Sequence, residues 1–167
     1  MTDDDDLLMH PNVMQLTAAA EALGLGIAAR EFPDGTRTAE DAARAIGCDV
    51  GQIVKSLVFL LDGAPVIALV SGANRLDEPR LATALGGGTV SRADADAVRA
   101  ATGYPIGGVP PFGHPEPLPT AIDEDLLRYD EVWAAAGTPR HVFAVAPADL
   151  VRITAGTTAA LRDGAAG

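Results

Sequence analysis

One side chain and one loop carry the types and spacing that chemistry needs. Of twelve Lys and Arg residues, a single one is lysine, Lys55, and it lies within the apolar run Gln52-Ile53-Val54-Lys55-Ser56-Leu57-Val58-Phe59-Leu60-Leu61. An ammonium is a compact point charge whose pKa moves on burial, a property the guanidinium lacks. In a low-dielectric pocket it can polarise a carbonyl or anchor a phosphate. A snorkelling lysine on a half-exposed strand fits the same run. The loop is Tyr104-Pro105-Ile106-Gly107-Gly108-Val109-Pro110-Pro111-Phe112-Gly113-His114-Pro115. Its alternation of fixed and permissive φ angles suits a shaped loop that offers backbone to a ligand. A meandering surface connection is the competing reading.

Other chemistries find no support. His10, His114 and His141 are far apart in sequence and lack Cys, Asp or Glu at ligand spacing, so no metal site is expected. Gly86-Gly87-Gly88 is not followed by the Lys and Ser/Thr of a phosphate-binding loop, and no dinucleotide fingerprint is present. Cys48 would need a histidine base nearby to act as a nucleophile, and it reads better as a small packed residue. Ser71-Gly72-Ala73-Asn74-Arg75 could line the rim of a cleft, with Arg75 on a phosphate, or form a plain surface turn.

These groups must be held by a mixed set of elements. Pro11 followed by Val13, Leu16, Ala20 and Leu23 predicts a first helix, ended by Gly24 and Gly26. Ile27–Phe32 reads as a strand and Pro33-Asp34-Gly35 as a turn. Thr38 caps a helix that stops at Gly47. Ile53–Leu61 and Pro65–Ser71 form a hairpin across Asp62-Gly63, and their continuous apolarity places them inside a sheet covered on both faces. A lysine there requires a cavity or a partner. Ser56, next in the strand, points to the opposite face from Lys55. Asp77–Leu85 and Asp94–Thr102 read as helices and Thr89-Val90 as a short strand. Pro119–Ile122, Glu131–Ala135 and His141–Val145 are further strands, with a helical turn over Asp123–Leu127. Pro147-Ala148-Asp149-Leu150 opens a last helix, and Thr154–Leu161 is expected to add another turn.

Composition sets the outer bounds. The 167 residues suit one domain over 10–161, between an acidic disordered lead-in at 1–9 and a flexible tail at 162–167. Aromatic residues are only 4% of the chain, so the core must be built from Ala, Val, Leu and Ile. No apolar run nears the roughly 20 residues of a membrane span, no secretory signal opens the sequence, and one cysteine fits a reducing compartment. The expectation is a cytoplasmic protein. The formal net charge of −11 makes it a poor non-specific binder of nucleic acid, so any such contact must be local and weak.

Taken together, Ala39-Glu40-Asp41-Ala42-Ala43 to Gly47, the lysine strand, Gly107-Gly108-Val109-Pro110-Pro111-Phe112-Gly113, Ile122-Asp123, Ala136-Gly137 and Pro147-Ala148-Asp149-Leu150 resemble the YbaK/ProX aminoacyl-tRNA deacylases, relatives of the prolyl-tRNA synthetase editing domain. The resemblance covers about residues 10–160 and rests most on Lys55 and the Gly-x-x-x-Pro pattern from Gly107 to Pro111. It implies an α+β fold, with a twisted, mixed and partly barrel-like sheet flanked by helices. It implies hydrolysis of the ester between a wrongly attached amino acid, commonly cysteine or alanine on proline tRNA, and the terminal adenosine. Lys55 is then catalytic. Gly107, Gly108, Val109, Pro110, Pro111, Phe112, His114, Ser71 and Arg75 are then candidates for substrate contact. No metal or organic cofactor is implied. The partners are the 3′ end of a mischarged tRNA and, as a hypothesis, prolyl-tRNA synthetase. Phe32 is a guess for a pocket aromatic. A non-catalytic module binding an aminoacyl or adenosine-like ligand, or a protein partner, is the alternative from another class.

Overall fold

The structure, a computed structural model, describes residues 10–32 and 38–164. The expected lead-in at 1–9, the turn Pro33-Asp34-Gly35 and the last three residues lie outside them. Among the described residues the order is α1 (Pro11–Ala22), β1 (Arg30–Glu31), α2 (Ala39–Ile46), β2 (Val54–Leu61), β3 (Ala64–Ser71), α3 (Glu78–Ala84) and β4 (Val90–Arg92). There follow α4 (Ala95–Thr102), β5 (Thr120–Asp123), β6 (Val132–Ala135), β7 (His141–Val145), α5 (Pro147–Thr154) and β8 (Thr157–Ala159), with single 3-10 turns at Val50–Gln52 and Glu124–Arg128.

Local chemistry accounts for the helix starts. Thr38, Asp77 and Asp94 each accept a backbone N–H in the first turn of α2, α3 and α4, at 3.0, 3.3 and 2.8 Å. The hairpin turn is equally specific: Asp62 and Gly63 have φ of 51° and 85°, so the two central residues are left-handed, as a tight antiparallel connection requires.

The strands form a five-stranded sheet, order β4-β2-β3-β5-β8, and a three-stranded sheet, order β1-β7-β6. A parallel bridge from Ile53 to Trp133 ties the two together, giving the mixed α+β, partly closed arrangement expected. Antiparallel pairing of β2 with β3 sets Lys55 opposite Val70, Leu57 opposite Ala68 and Phe59 opposite Val66. These residues share one face of the sheet, where Val66, Ala68 and Val70 pack with Leu81 and Leu161. On the other face Val54, Ile67 and Leu69 join Leu16, Tyr104, Phe143 and Leu150 in the main core.

Three expectations need correction. Thr154–Leu161 does not add a helical turn: Thr157–Ala159 is β8, paired parallel to β5, because that sheet edge satisfies its backbone groups. The strand over Ile27–Phe32 shrinks to Arg30–Glu31, the two residues that find partners in β7. The hairpin is also not covered on both faces along its whole length. β3 is buried from Val66 to Ser71, but β2 is half-buried from Lys55 through Leu61. At the C-terminal end Leu161 is fully buried, Arg162 bridges to Leu76, and the Asp163 N–H donates to the Arg75 carbonyl at 2.7 Å.

Candidate active site

The uncovered half of β2 borders a cavity of about 850 Å³. Its wall runs from α2 (Ala39, Ala42) along β2 to Arg92 and Ala93, and is completed by Ile106, Gly107 and Val109 and by residues of β6 and β7 with their connecting turn. That volume lies in the range of pockets that enclose a drug-sized ligand.

Lys55 is half-buried in this wall, and its ammonium donates to the main-chain carbonyl of Asn74. A short polar chain holds that carbonyl. The Asn74 side-chain amide donates to Asp123 Oδ2 and to Asp125 Oδ2, each at 2.8 Å, and the Asn74 N–H donates to the Ser71 carbonyl at 2.9 Å. Asp123 is 1% exposed, so its carboxylate needs several donors to be tolerated. It has them: Oδ2 also accepts the Ser71 N–H at 3.0 Å, and Oδ1 accepts the Asp125 N–H at 3.0 Å. Burial pulls the Lys55 pKa below the ordinary lysine value, and the carboxylates of Glu40 and Asp123 pull it back up. The ammonium is therefore poorly hydrated yet electrostatically supported, which suits a donor to developing negative charge.

Gly107, also on the cavity wall, has φ of +87°, a conformation that L side chains adopt only under strain. Gly108 is glycine for a different reason. A Cβ there would lie 2.7 Å from Thr138 Cα and 2.9 Å from the Gly137 carbonyl carbon and oxygen. The loop thus rests on the turn between β6 and β7. That turn is itself fixed: Asn12 donates to the Gly137 carbonyl at 2.9 Å, Thr138 Oγ1 lies 2.6 Å from His141 Nδ1, and the Arg140 N–H donates to the same hydroxyl at 3.1 Å.

Of the residues nominated from sequence, Lys55, Arg75, Gly107 and Val109 line the one cavity. Six do not. The Gly108 N–H is spent on the Pro105 carbonyl at 2.9 Å, so it is not a free donor to a ligand. Pro110 and Pro111 are buried, and Phe112 packs edge-on against Phe143 in the main core, with ring centroids 5.8 Å apart. His114 turns back onto the Pro110 carbonyl at 2.9 Å, and burial lowers its pKa. Ser71 is buried, its hydroxyl donating to the Gly51 carbonyl at 2.8 Å. Prolines and an aromatic in a loop act here as an anchor to the core, and only the loop's tip meets the cavity. Phe32 is absent from the cavity wall too; Arg30 lies 5.2 Å from its ring centroid and 5.4 Å from that of Trp133.

Sequence reasoning missed Trp133, Ala134, Ala135 and Val142 on the wall, and the Asn74–Asp123–Asp125 chain behind Lys55. One signal was present, an aspartate ending an apolar strand just before a turn, where its carboxylate can take backbone N–H groups. Ser56 lines part of the cavity while its hydroxyl is buried with no hydrogen-bond partner among the described residues. Burial, then Asp49 and Glu131, push the Cys48 thiol pKa up, which disfavours the nucleophilic thiolate. Among the described residues, no three His, Cys, Asp or Glu side chains are grouped to hold a metal ion.

Comparison with known proteins identifies the family. Residues 33–153 match the family described as the aminoacyl-tRNA editing domain. The chain is 32% identical over 120 residues to Enterococcus faecalis EbsC, proposed to be a Cys-tRNA(Pro)/Cys-tRNA(Cys) deacylase, covering 71% of this chain and 73% of that one. It is 35% identical over 79 residues to the proline–tRNA ligase of Maridesulfovibrio salexigens, spanning 47% of this chain but only 14% of the ligase. Among solved structures, a proposed trans-editing enzyme for prolyl-tRNA synthetase is 47% identical, with a TM-score of 0.88 over 93% of this chain and 99% of the other. With residues 33–153 matched by the family and a 32% identical relative aligned over 71% of this chain and 73% of its own, the chain belongs to the aminoacyl-tRNA editing domain family.

Proposed function

We propose that the protein is a trans-editing deacylase, which hydrolyses the ester between a wrongly attached amino acid and the 3′-terminal adenosine of a tRNA, with Cys- or Ala-tRNA(Pro) as substrate. The observation that carries this reading is the half-buried Lys55 ammonium, held by the Asn74 carbonyl in the wall of a cavity that Gly107 also lines. An aminoacyl ester is already activated. The catalyst has to orient it, stabilise the oxyanion that forms at the carbonyl, and admit a nucleophile. Lys55 supplies the charge for the oxyanion. Water attacks the carbonyl carbon, the acyl C–O bond to the ribose breaks, and the ribose oxygen leaves with a proton; in a cysteinyl substrate its own thiol can attack instead, giving a thiolactone that water then opens. No protein nucleophile is needed.

The wall contributed by Ala134, Ala135 and Val142 is apolar, which supports a small aliphatic or thiol side chain over a charged one. Editing in the cytoplasm, at times in company with prolyl-tRNA synthetase, follows from this substrate. No described helix is long and apolar enough to cross a membrane. The test is release of amino acid from a panel of mischarged tRNAs by the parent and by Lys55→Ala. Release by the parent alone supports the reading. Ligand binding without release from any member of the panel would establish a non-catalytic module instead.

A further inference from the structure

The cavity is longer than a small aminoacyl group requires. From Lys55 its wall continues through Leu57 and Phe59, on the same face of β2, and ends at Arg92, which lies opposite Phe59 in the pairing of β2 with β4. Four residues of extended strand span about 13 Å, a length that one nucleotide and an arginine side chain together cover. β4 pairs only with Phe59–Leu61, so it leaves the intervening stretch of β2 open to the cavity.

Charge gives this track a direction. In a chain of net charge −11, five described arginines, Arg44, Arg80, Arg128, Arg152 and Arg162, are each paired with an aspartate. Arg92 and Arg75, the two that line the cavity, have no carboxylate partner among the described residues. They are not equivalent. The only carboxylate on the cavity wall among the described residues is Glu78, three residues beyond Arg75, whereas the Arg92 end carries none. The wall therefore sets a carboxylate beside Arg75 and none beside Arg92, although exposed Asp94 lies two residues from Arg92 outside the wall. Leu57 and Phe59, between the lysine and Arg92, pack on one side against the Val66, Ala68 and Leu81 cluster and keep their remaining surface on the cavity wall, an apolar and aromatic edge of the kind on which a nucleobase packs.

We infer that Arg92 binds the phosphate on the 5′ side of the terminal adenosine, with the adenine held over Leu57 and Phe59, so that the acceptor strand leaves the cavity past β4. This rests on the deacylase reading above and adds the path of the strand to it. The assignment predicts a split between two substrates: mischarged tRNA, and the same amino acid esterified to adenosine alone, which lacks the phosphate. Arg92→Gln raises KM for the tRNA roughly tenfold, leaves kcat within about twofold, and leaves kcat/KM on the aminoacyl-adenosine unchanged. Arg92→Lys, which keeps the charge, recovers part of the loss. Arg152→Gln, which removes the same charge from α5, alters neither substrate. Because Arg92 is exposed, thermal unfolding of each variant separates loss of contact from loss of fold. Parental KM for tRNA in Arg92→Gln, or equal losses on both substrates, overturns the assignment while leaving the deacylase intact. A parent protein that cleaves neither substrate removes both.

Discussion

At the scale of single residues, the proposed chemistry depends on how a lone ammonium is held. On the proposed mechanism, Lys55→Ala removes the charge that would meet the oxyanion and should lower kcat about 10²- to 10³-fold. Lys55→Arg should be nearly as damaging, because a planar guanidinium cannot reproduce a point donor seated on one carbonyl. The pH dependence follows from the direction of the shift. Burial lowers the Lys55 pKa, so the ammonium and the activity that needs it are lost, as pH rises, below the usual lysine value of 10.5. Glu40 opposes that shift. In Glu40→Gln the alkaline fall of kcat/KM, corrected for spontaneous ester hydrolysis, therefore moves to lower pH; a limb that stays put or moves up would refute the electrostatic account. Asn74→Ala tests the geometry separately. It leaves the carbonyl that Lys55 uses but frees the loop carrying it, so kcat should fall about ten- to hundredfold with a smaller change in KM. Lys55 was legible in the sequence because its type was unique and its context apolar. Asn74 and Asp123 were not, since they lie 49 residues apart and their role exists only once β3 and β5 are neighbours.

At the scale of elements, the long β2–β3 hairpin could be read from its apolar runs and the left-handed pair Asp62-Gly63, and the helices from Thr38, Asp77 and Asp94. β8 could not. Thr157–Ala159 is three residues long, largely exposed, and becomes a strand only through parallel pairing with a segment 36 residues earlier. The same distinction, between what a segment prefers and what its neighbours impose, governs stability. Leu69 is fully buried at the centre of β3, whereas Leu127 is 43% exposed. Leu69→Ala should cost about 2–5 kcal/mol through lost burial and the cavity left behind, and Leu127→Ala within about 0.5 kcal/mol; urea unfolding reads both. Comparable losses at the two positions would mean that the core is not where the register places it. Gly107→Ala belongs with the elements too, because its left-handed backbone shapes the loop tip. It should cost about 1–2 kcal/mol in stability and more in kcat than Leu127→Ala does.

For the whole molecule the decisive quantity is charge. A chain of net charge −11 approaching a polyanion is repelled at long range, and its favourable contacts must be few and local. For single strands, each phosphate neutralised contributes a slope of about −0.7 to log K against log salt. One or two arginine contacts at the cavity mouth therefore predict a slope between about −0.7 and −1.4, made shallower at low salt as screening relieves the overall repulsion. Binding of a non-hydrolysable aminoacyl-tRNA analogue across a series of potassium chloride concentrations measures it. A slope steeper than about −4 would demand a basic face that the described residues do not provide, and would move recognition away from the cavity mouth. A shallow slope with weak affinity has a functional corollary: the tRNA must be delivered at high local concentration. Adding prolyl-tRNA synthetase should then lower the apparent KM for mischarged tRNA without changing kcat, since proximity raises encounter and leaves the chemistry at Lys55 untouched.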